Sequence, residues 1–295
     1  MIANRISNDL IPESQLILND DGTVYHLGLN DAMIGDTVLI VGDPDRVGLI
    51  SIHFDSIDYK VARREFVTHT GKLGGRSITV ISTGIGVDNI DIVINELDAA
   101  VNIDPTTRKP KSDLRKLRFI RLGTCGALRA DIPLATPIAS AFAIGMDGVP
   151  WHYDLKMTAE EAALADAFTK HTSWNKKLAT PYCAKADKVL LNTIGGEMLH
   201  GITVTANGFY GPQGRSLRIG TSNPEWLNTL SHFQHDRLHA TNFEMECAGI
   251  YALASALGHR ALTCCVALAN RQGELFTDDP RKAVNDLISM VLGRL

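Results

Sequence analysis

Residues 208 to 215 read GFYGPQGR. Phe209 offers a flat apolar face, Gln213 an amide with donor and acceptor side by side, and Arg215 a guanidinium that only donates. The glycines let the backbone approach a ligand closely. A planar ring whose edge runs acceptor, donor, acceptor, as O2, N3–H and O4 of uracil do, fits this set. The amide takes O2 and N3–H, the guanidinium takes O4, and the phenyl ring lies against the base. Cytosine would turn an amino group toward the arginine and leave two donors facing each other, a mismatch that discriminates strongly. The competing reading is a surface loop whose glutamine and arginine fall two residues apart by chance.

Three arginines stand beside glycine-containing turns: Arg46 after GDPD, Arg64 in ARREF and Arg121 before LGTCG. With Gly42 and Thr124 they supply guanidinium forks, backbone N–H groups and a hydroxyl, the parts of a receptor for a phosphate-like oxyanion. Taken singly, each arginine reads equally as a strand-end or surface charge. GDPDRV is not a Walker loop, and GIGVDN lacks the third glycine of a dinucleotide fingerprint. In FEMECAG, Glu244 and Glu246 flank Met245 at a strand-to-helix junction. A carboxylate there accepts two hydrogen bonds from a vicinal diol such as ribose. Two other readings stand beside it: acids favouring a helix macrodipole, and a glycosidase pair. The second is weakened by the expectation that the two side chains point to opposite faces.

Other chemistries find little footing. The ten histidines show no zinc spacing, and HFQHDRLH (232 to 239) reads as a solvated helix end. Cys125, between Thr124 and Gly126, reads as a small buried filler before it reads as a nucleophile. No G-x-S-x-G is present. Cys125, Cys183, Cys247, Cys264 and Cys265 are odd in number and contain no C-x-x-C, which suits reduced thiols in the cytosol. The start, MIANRISNDLIPESQL, lacks the apolar core of a signal peptide, and no run reaches the roughly 18 apolar residues of a membrane span. A cytoplasmic protein without a membrane partner is expected. The formal net charge is −4, and the basic residues are scattered apart from a short cluster in TTRKPKSDLRKLRF (106 to 119). The expected partner is therefore a small anion held by a few arginines and not a nucleic-acid polymer.

These residues must be positioned by an alternation of strands and helices, which predicts an α/β fold in one domain. Strands are expected within 36–47, 76–86, 116–128, 201–211 and 260–271. Those at 76–86 and 116–128 each run into a glycine turn. Helices are expected at 87–101, with Asp88 and Asn89 as caps, at 223–236, at 242–258 stopped by Gly258, and at 279–294. Residues 1–21 read as an extended arm ahead of a domain over 22–295, and 104–113 as a surface insertion between a helix and a strand. In open α/β sheets ligands bind beyond the carboxyl ends of the strands, so the glycine turns are expected to converge on one site.

GDPDRV, REF, STGIG, RLGTCGAL, FYGPQGR, FEMECAGIYALASALG and ANR occur here in the order and spacing of the nucleoside phosphorylase-I family. The F-Y-x-x-Q-x-R segment resembles its pyrimidine branch, the uridine phosphorylases. That resemblance implies a mixed central sheet forming a distorted barrel surrounded by helices. It implies that Gly42, Arg46, Arg121 and Thr124 bind phosphate, and that Arg64 reaches phosphate in a neighbouring subunit's site. Met245 and Glu246 would hold ribose, and His26, beside Tyr25, would cross to the adjacent subunit's 5′ hydroxyl. Gly126, Phe209, Gln213, Arg215 and Arg271 would take uracil. Arg121, Gln213, Arg215 and Glu246 would carry catalysis, with no metal and no cofactor. The implied ligands are uridine, uracil, inorganic phosphate and ribose-1-phosphate, in pyrimidine salvage.

Four departures from the family pattern stand out. Arg63 replaces a common histidine and makes the local field more positive. Cys125 replaces a hydroxyl residue and removes one hydrogen bond. GIGVDN replaces a Pro-Ser pair tied to an interface potassium site in bacterial relatives. The 104–113 insertion favours a homodimer with shared active sites over a hexamer. A nucleosidase or purine phosphorylase of the same superfamily, or a non-catalytic nucleoside-binding paralogue, are the alternatives.

Overall fold

The computed structural model describes residues 1–3 and 9–295; residues 4–8 of the expected N-terminal arm lie outside the described residues. The β-branched run TVLIV forms β1 (Thr37–Val41), buried along its whole length as a strand covered on both faces must be. It is followed by α1 (Asp45–Ser51), β2 (Ser56–Arg63), β3 (Phe66–Leu73), β4 (Arg76–Ser82) and α2 (Val87–Asn102). Then come β5 (Arg118–Ala127), β6 (Pro137–Gly145), α3 (Ala159–His171), β7 (Tyr182–Lys185) and β8 (Leu199–Thr205). The chain ends with α4 (Trp226–Ser231), β9 (Leu238–Glu244), α5 (Cys247–Ala256), β10 (Arg260–Asn270) and α6 (Pro280–Leu292).

One mixed sheet runs β9-β8-β6-β10-β5-β1-β4-β3-β2, and β7 adds to β6. A further pairing joins β9 back to β5 through Asn242 opposite Ala127 and Phe243 opposite Gly126. The strands β9, β8, β6, β10 and β5 thereby close into a five-stranded barrel, with β1 to β4 as a sheet extending from it. The barrel is mixed: β8 is parallel to β6 and β9, β10 is parallel to β5, and β10 is antiparallel to β6. Helices α2, α5 and α6 pack outside, burying Ile90, Val93, Ile94 and Leu97 of α2 and Leu287, Ile288 and Val291 of α6. No helix among the described residues is long and apolar enough to cross a membrane.

The α/β expectation and the barrel implied by resemblance agree with this architecture, and the local differences have physical reasons. The glycines of LGTCG do not form a turn after a strand. Gly123 and Gly126 lie inside β5, paired to Cys265 and Ala269 of β10, and their missing side chains leave room for Arg121 and Arg271. The helix expected over 223–236 is confined to α4. Beyond it Gln234–His235 pair with Leu238–His239 around Asp236, which adopts a left-handed φ of 52°. HFQHDRLH is thus a hairpin and not a helix end. The expected 242–258 helix begins only at Cys247, because Leu238–Glu244 complete the barrel. Gly86, with φ 100°, caps α2 in place of Asp88 or Asn89. Asn89 instead turns its amide to Glu65 (3.1 Å) and to the Thr83 carbonyl (2.8 Å). Strands β2, β3, β6 and β7 and helix α3 carried no expectation. Helix α3 opens with a capping box in which Thr158 and Glu161 satisfy each other's backbone.

Candidate active site

Four strand ends and one loop converge on a cavity of about 610 Å³. β1 delivers Gly42, and α1 behind it Arg46. β5 delivers Arg121, Thr124, Cys125 and Gly126. β9 delivers Glu244, Met245 and Glu246, while Leu268 and Ala269 come from β10. The loop after β8 brings Phe209, Gln213 and Arg215 to the same cavity. Of the residues expected to bind phosphate, ribose and base, ten therefore share one space: Gly42, Arg46, Arg121, Thr124, Gly126, Phe209, Gln213, Arg215, Met245 and Glu246.

Arg121 sits at the bottom, only 5 % exposed. Its Nη2 donates to Glu246 Oε2, its Nη1 lies 3.4 Å from Glu244 Oε2, and Nη1 also reaches Cys265 Sγ at 3.3 Å. Glu244 and Glu246 were expected on opposite faces. They instead converge on this one guanidinium, since residues two apart at a strand end share a face. Burial alone would pull the Arg121 pKa down, but the Glu246 and Glu244 carboxylates outweigh it and hold it above the ordinary value. Burial, reinforced by Glu246 and opposed by Arg121, raises Glu244 above the usual carboxylate range. Arg46 is pulled down by burial and by the like charge of Arg121, with Asp43 4.0 Å away as its nearest carboxylate. Arg46 is thus only loosely paired, at the outer limit of an ion pair. Burial, with Cys265 beside it, pushes the Cys125 thiol well up. A protonated thiol is no nucleophile.

The loop end is organised around Arg215. Its Nη1 donates to the Gln213 Oε1 and to the Phe209 carbonyl, each at 2.6 Å, and its guanidinium lies 3.7 Å over the Phe209 ring. An arginine has only donors, so this contact orients the Gln213 amide, with Oε1 toward Arg215 and Nε2 away. The resulting edge reads donor, acceptor, donor. Burial and the neighbouring Arg271 lower the Arg215 pKa to about 10. Arg271 stands behind the loop, donating from Nη1 to the Gln213 carbonyl at 3.0 Å and packing over Gly126. It supports the loop that carries Phe209, Gln213 and Arg215 without lining the cavity.

Besides Arg271, two more expected residues stay outside. His26 Nδ1 is 2.5 Å from Glu96 Oε1, with Tyr25 edge-on beside it. Arg64 is exposed at the β2–β3 turn with a left-handed φ of 54°. Several lining residues went unforeseen. Gly84 and Ile85 were signalled only as part of STGIG, Ala269 only as part of ANR and Leu268 only by its place before it, and Phe276 had no signal because it arrives through a short antiparallel return against β10. A second cavity of about 510 Å³ lies behind the loop, between Trp174, Trp226 and the far side of Gly211–Pro212. It carries no charged side chain, so an oxyanion has no receptor there.

Residues 36–293 match the family model of the phosphorylase superfamily. The chain is 32 % identical over 252 residues to a uridine phosphorylase of Thermococcus kodakarensis, covering 85 % of this chain and 79 % of that protein. It is 30 % identical over 251 residues to a uridine phosphorylase of Haemophilus influenzae, covering 84 % of this chain and 86 % of that protein. A solved Trypanosoma brucei nucleoside phosphorylase, described as showing uridine phosphorylase activity, superposes with a TM-score of 0.86 at 29 % identity over 95 % of this chain and 99 % of that one. With a closed barrel, strand ends that gather arginines and carboxylates, and a family match over most of its length, the chain belongs to the phosphorylase superfamily.

Proposed function

We propose that this protein catalyses the reversible phosphorolysis of uridine to uracil and ribose-1-phosphate. The observation that carries the reading is the donor–acceptor–donor edge of Arg215 and Gln213, which opens into the same cavity as Arg46, Arg121, Thr124, Met245 and Glu246. That edge complements O4, N3–H and O2 of uracil and mismatches cytosine. Phosphate would lie between Gly42, Arg46, Arg121 and Thr124, and ribose against Met245 and Glu246, its diol toward the Glu246 carboxylate. A phosphate oxygen bonds to C1′ as the C1′–N1 bond breaks. The electron pair of that bond passes to N1 and spreads onto O2 and O4, where Gln213 and Arg215 donate. Fixed donors aimed at developing charge in a site shielded from water stabilise the transition state most. The departing uracil anion then takes a proton from water.

The protein would work as a homodimer in cytoplasmic pyrimidine salvage, with Arg64 and His26 serving a neighbouring subunit's site. The test is ultraviolet monitoring of uridine with purified protein, phosphate present or omitted. Loss of uridine only with phosphate supports the reading. Turnover without phosphate makes the protein a nucleosidase, and turnover of inosine in preference to uridine makes it a purine enzyme. Uracil binding without any turnover leaves a non-catalytic binding protein.

A further inference from the structure

The two carboxylates around Arg121 are held very differently. Glu244 is tied on every side: its Oε2 accepts from the backbone N–H of Glu246 (2.9 Å) and Cys247 (2.8 Å), and its Oε1 from the Thr205 hydroxyl (2.5 Å). Thr205 is itself braced by the Ala248 N–H at 3.0 Å. Glu246 has a single backbone tie, from the Gly86 N–H to Oε1 at 2.7 Å, and its other oxygen is engaged by Arg121. Both carboxylates are buried, so one guanidinium faces two acids in the floor of the cavity. In this arrangement Arg121 has no spare charge for an oxyanion, and Glu246 has no uncommitted oxygen for a diol.

We propose that the Arg121–Glu246 pair is a shared lock that phosphate and nucleoside must both open, so the two ligands bind with positive coupling. Glu244 is the positioning residue that keeps the guanidinium in place while Glu246 changes partner. The proposal rests on the phosphate and ribose roles given to these residues under Proposed function. Whichever ligand arrives first bears the cost of separating the pair, and the second finds its own partner already released. Linkage requires the effect to be the same in both directions. Glu244 cannot take Glu246's part, because moving it would strip acceptors from two buried N–H groups and a hydroxyl, each costly to leave unpaired.

The experiment is calorimetric titration of the intact protein with inorganic phosphate, alone and with saturating pseudouridine. In that nucleoside uracil is joined to ribose through carbon and is not phosphorolysed. The phosphate Kd is expected to fall at least about fivefold with pseudouridine present, the low end of usual coupling, and the pseudouridine Kd to fall by the same factor with phosphate. In Glu246→Gln, phosphate alone should bind more tightly than to the parent protein and respond no further to pseudouridine. Glu244→Gln still accepts both backbone N–H groups and should keep the coupling, whereas Glu244→Ala should lose it. A phosphate Kd unchanged by pseudouridine in a preparation that phosphorolyses uridine overturns the coupling alone. Loss of coupling in Glu244→Gln overturns the positioning role. Failure to turn over uridine at all removes the reading on which both rest.

Discussion

Arg215 makes three contacts at once, to the Phe209 ring, the Phe209 carbonyl and the Gln213 amide oxygen. Under the proposed function, replacing it removes a donor to uracil and also frees the amide to turn its wrong end toward the base. Arg215→Ala and Gln213→Ala are each expected to lower kcat for uridine by about 10²–10³, the usual loss for one donor at a developing anion, with unchanged thermal unfolding. Arg215→Lys should not restore activity, since a point charge cannot replace the planar fork. Initial rates and melting curves on the three variants decide the matter; near-normal kcat in both alanine variants would reject the assigned base site. The residue types were legible in the sequence because a Gln and an Arg two apart on a glycine-rich turn have few structural uses together. Their mutual hydrogen bond was not, since it depends on side-chain rotamers.

At the level of elements, two packing relations transmit to the site. The loop that carries Phe209, Gln213 and Arg215 is tethered from behind by Trp226 of α4, whose Nε1 donates to the Pro212 carbonyl at 3.0 Å. Trp226 in turn packs against Phe168 and Trp174, with Phe233 on the far side of Phe168. Trp226→Phe keeps the packing and deletes one neutral hydrogen bond worth about 1 kcal/mol, so the KM for uridine should rise roughly fivefold with kcat retained. An unchanged KM in steady-state kinetics would show that the tether does not act on the loop. In β5, a Cβ on Gly123 would collide with Arg121 Nη1 and come within 2.8 Å of Cys265 Sγ. Arg121 cannot yield, being held by two acids. Gly123→Ala is thus expected to cost about 1–3 kcal/mol in urea unfolding and to raise the phosphate KM. A wild-type urea midpoint would refute it. Motif and periodicity announced β1, β4, α2 and β10. Strands β2, β3, β6 and β7 lacked a comparable mark. The pattern of β2, for example, is almost wholly exposed, so apolar alternation is absent from it.

For the whole molecule, the question is what completes the cavity. Its mouth is rimmed by Ile85, Phe209 and Phe276, each at least half exposed, and the basic side chain of Arg64 and the imidazole of His26 lie outside it. If a second copy supplies Arg64, then two inactive variants should repair each other. Mixing Arg64→Ala with Arg121→Ala under exchange conditions places both changes in one site of each hybrid dimer and leaves the other intact. Random assortment makes half of the dimers hybrids, and about a quarter of wild-type activity should return, alongside a dimeric mass in light scattering. No recovery in a verified hybrid would mean that Arg64 acts within its own chain or not at all.

The amino-acid order alone determined the chemical inventory, the strand–helix alternation and the family to which they point, because residue type and local spacing are one-dimensional properties. Only the tertiary structure decided that β9 returns to β5 and closes a barrel, that Glu244 and Glu246 share one arginine, and that Phe276 reaches the mouth. The first two outcomes rest on pairings between residues more than a hundred positions apart, as with Asn242 and Ala127, or Arg121 and Glu246, and the third on a short return that pairs Phe276 with Ala269 of β10. Such pairings are selected by packing and hydrogen bonding across the assembled sheet, and no local pattern in the chain encodes them.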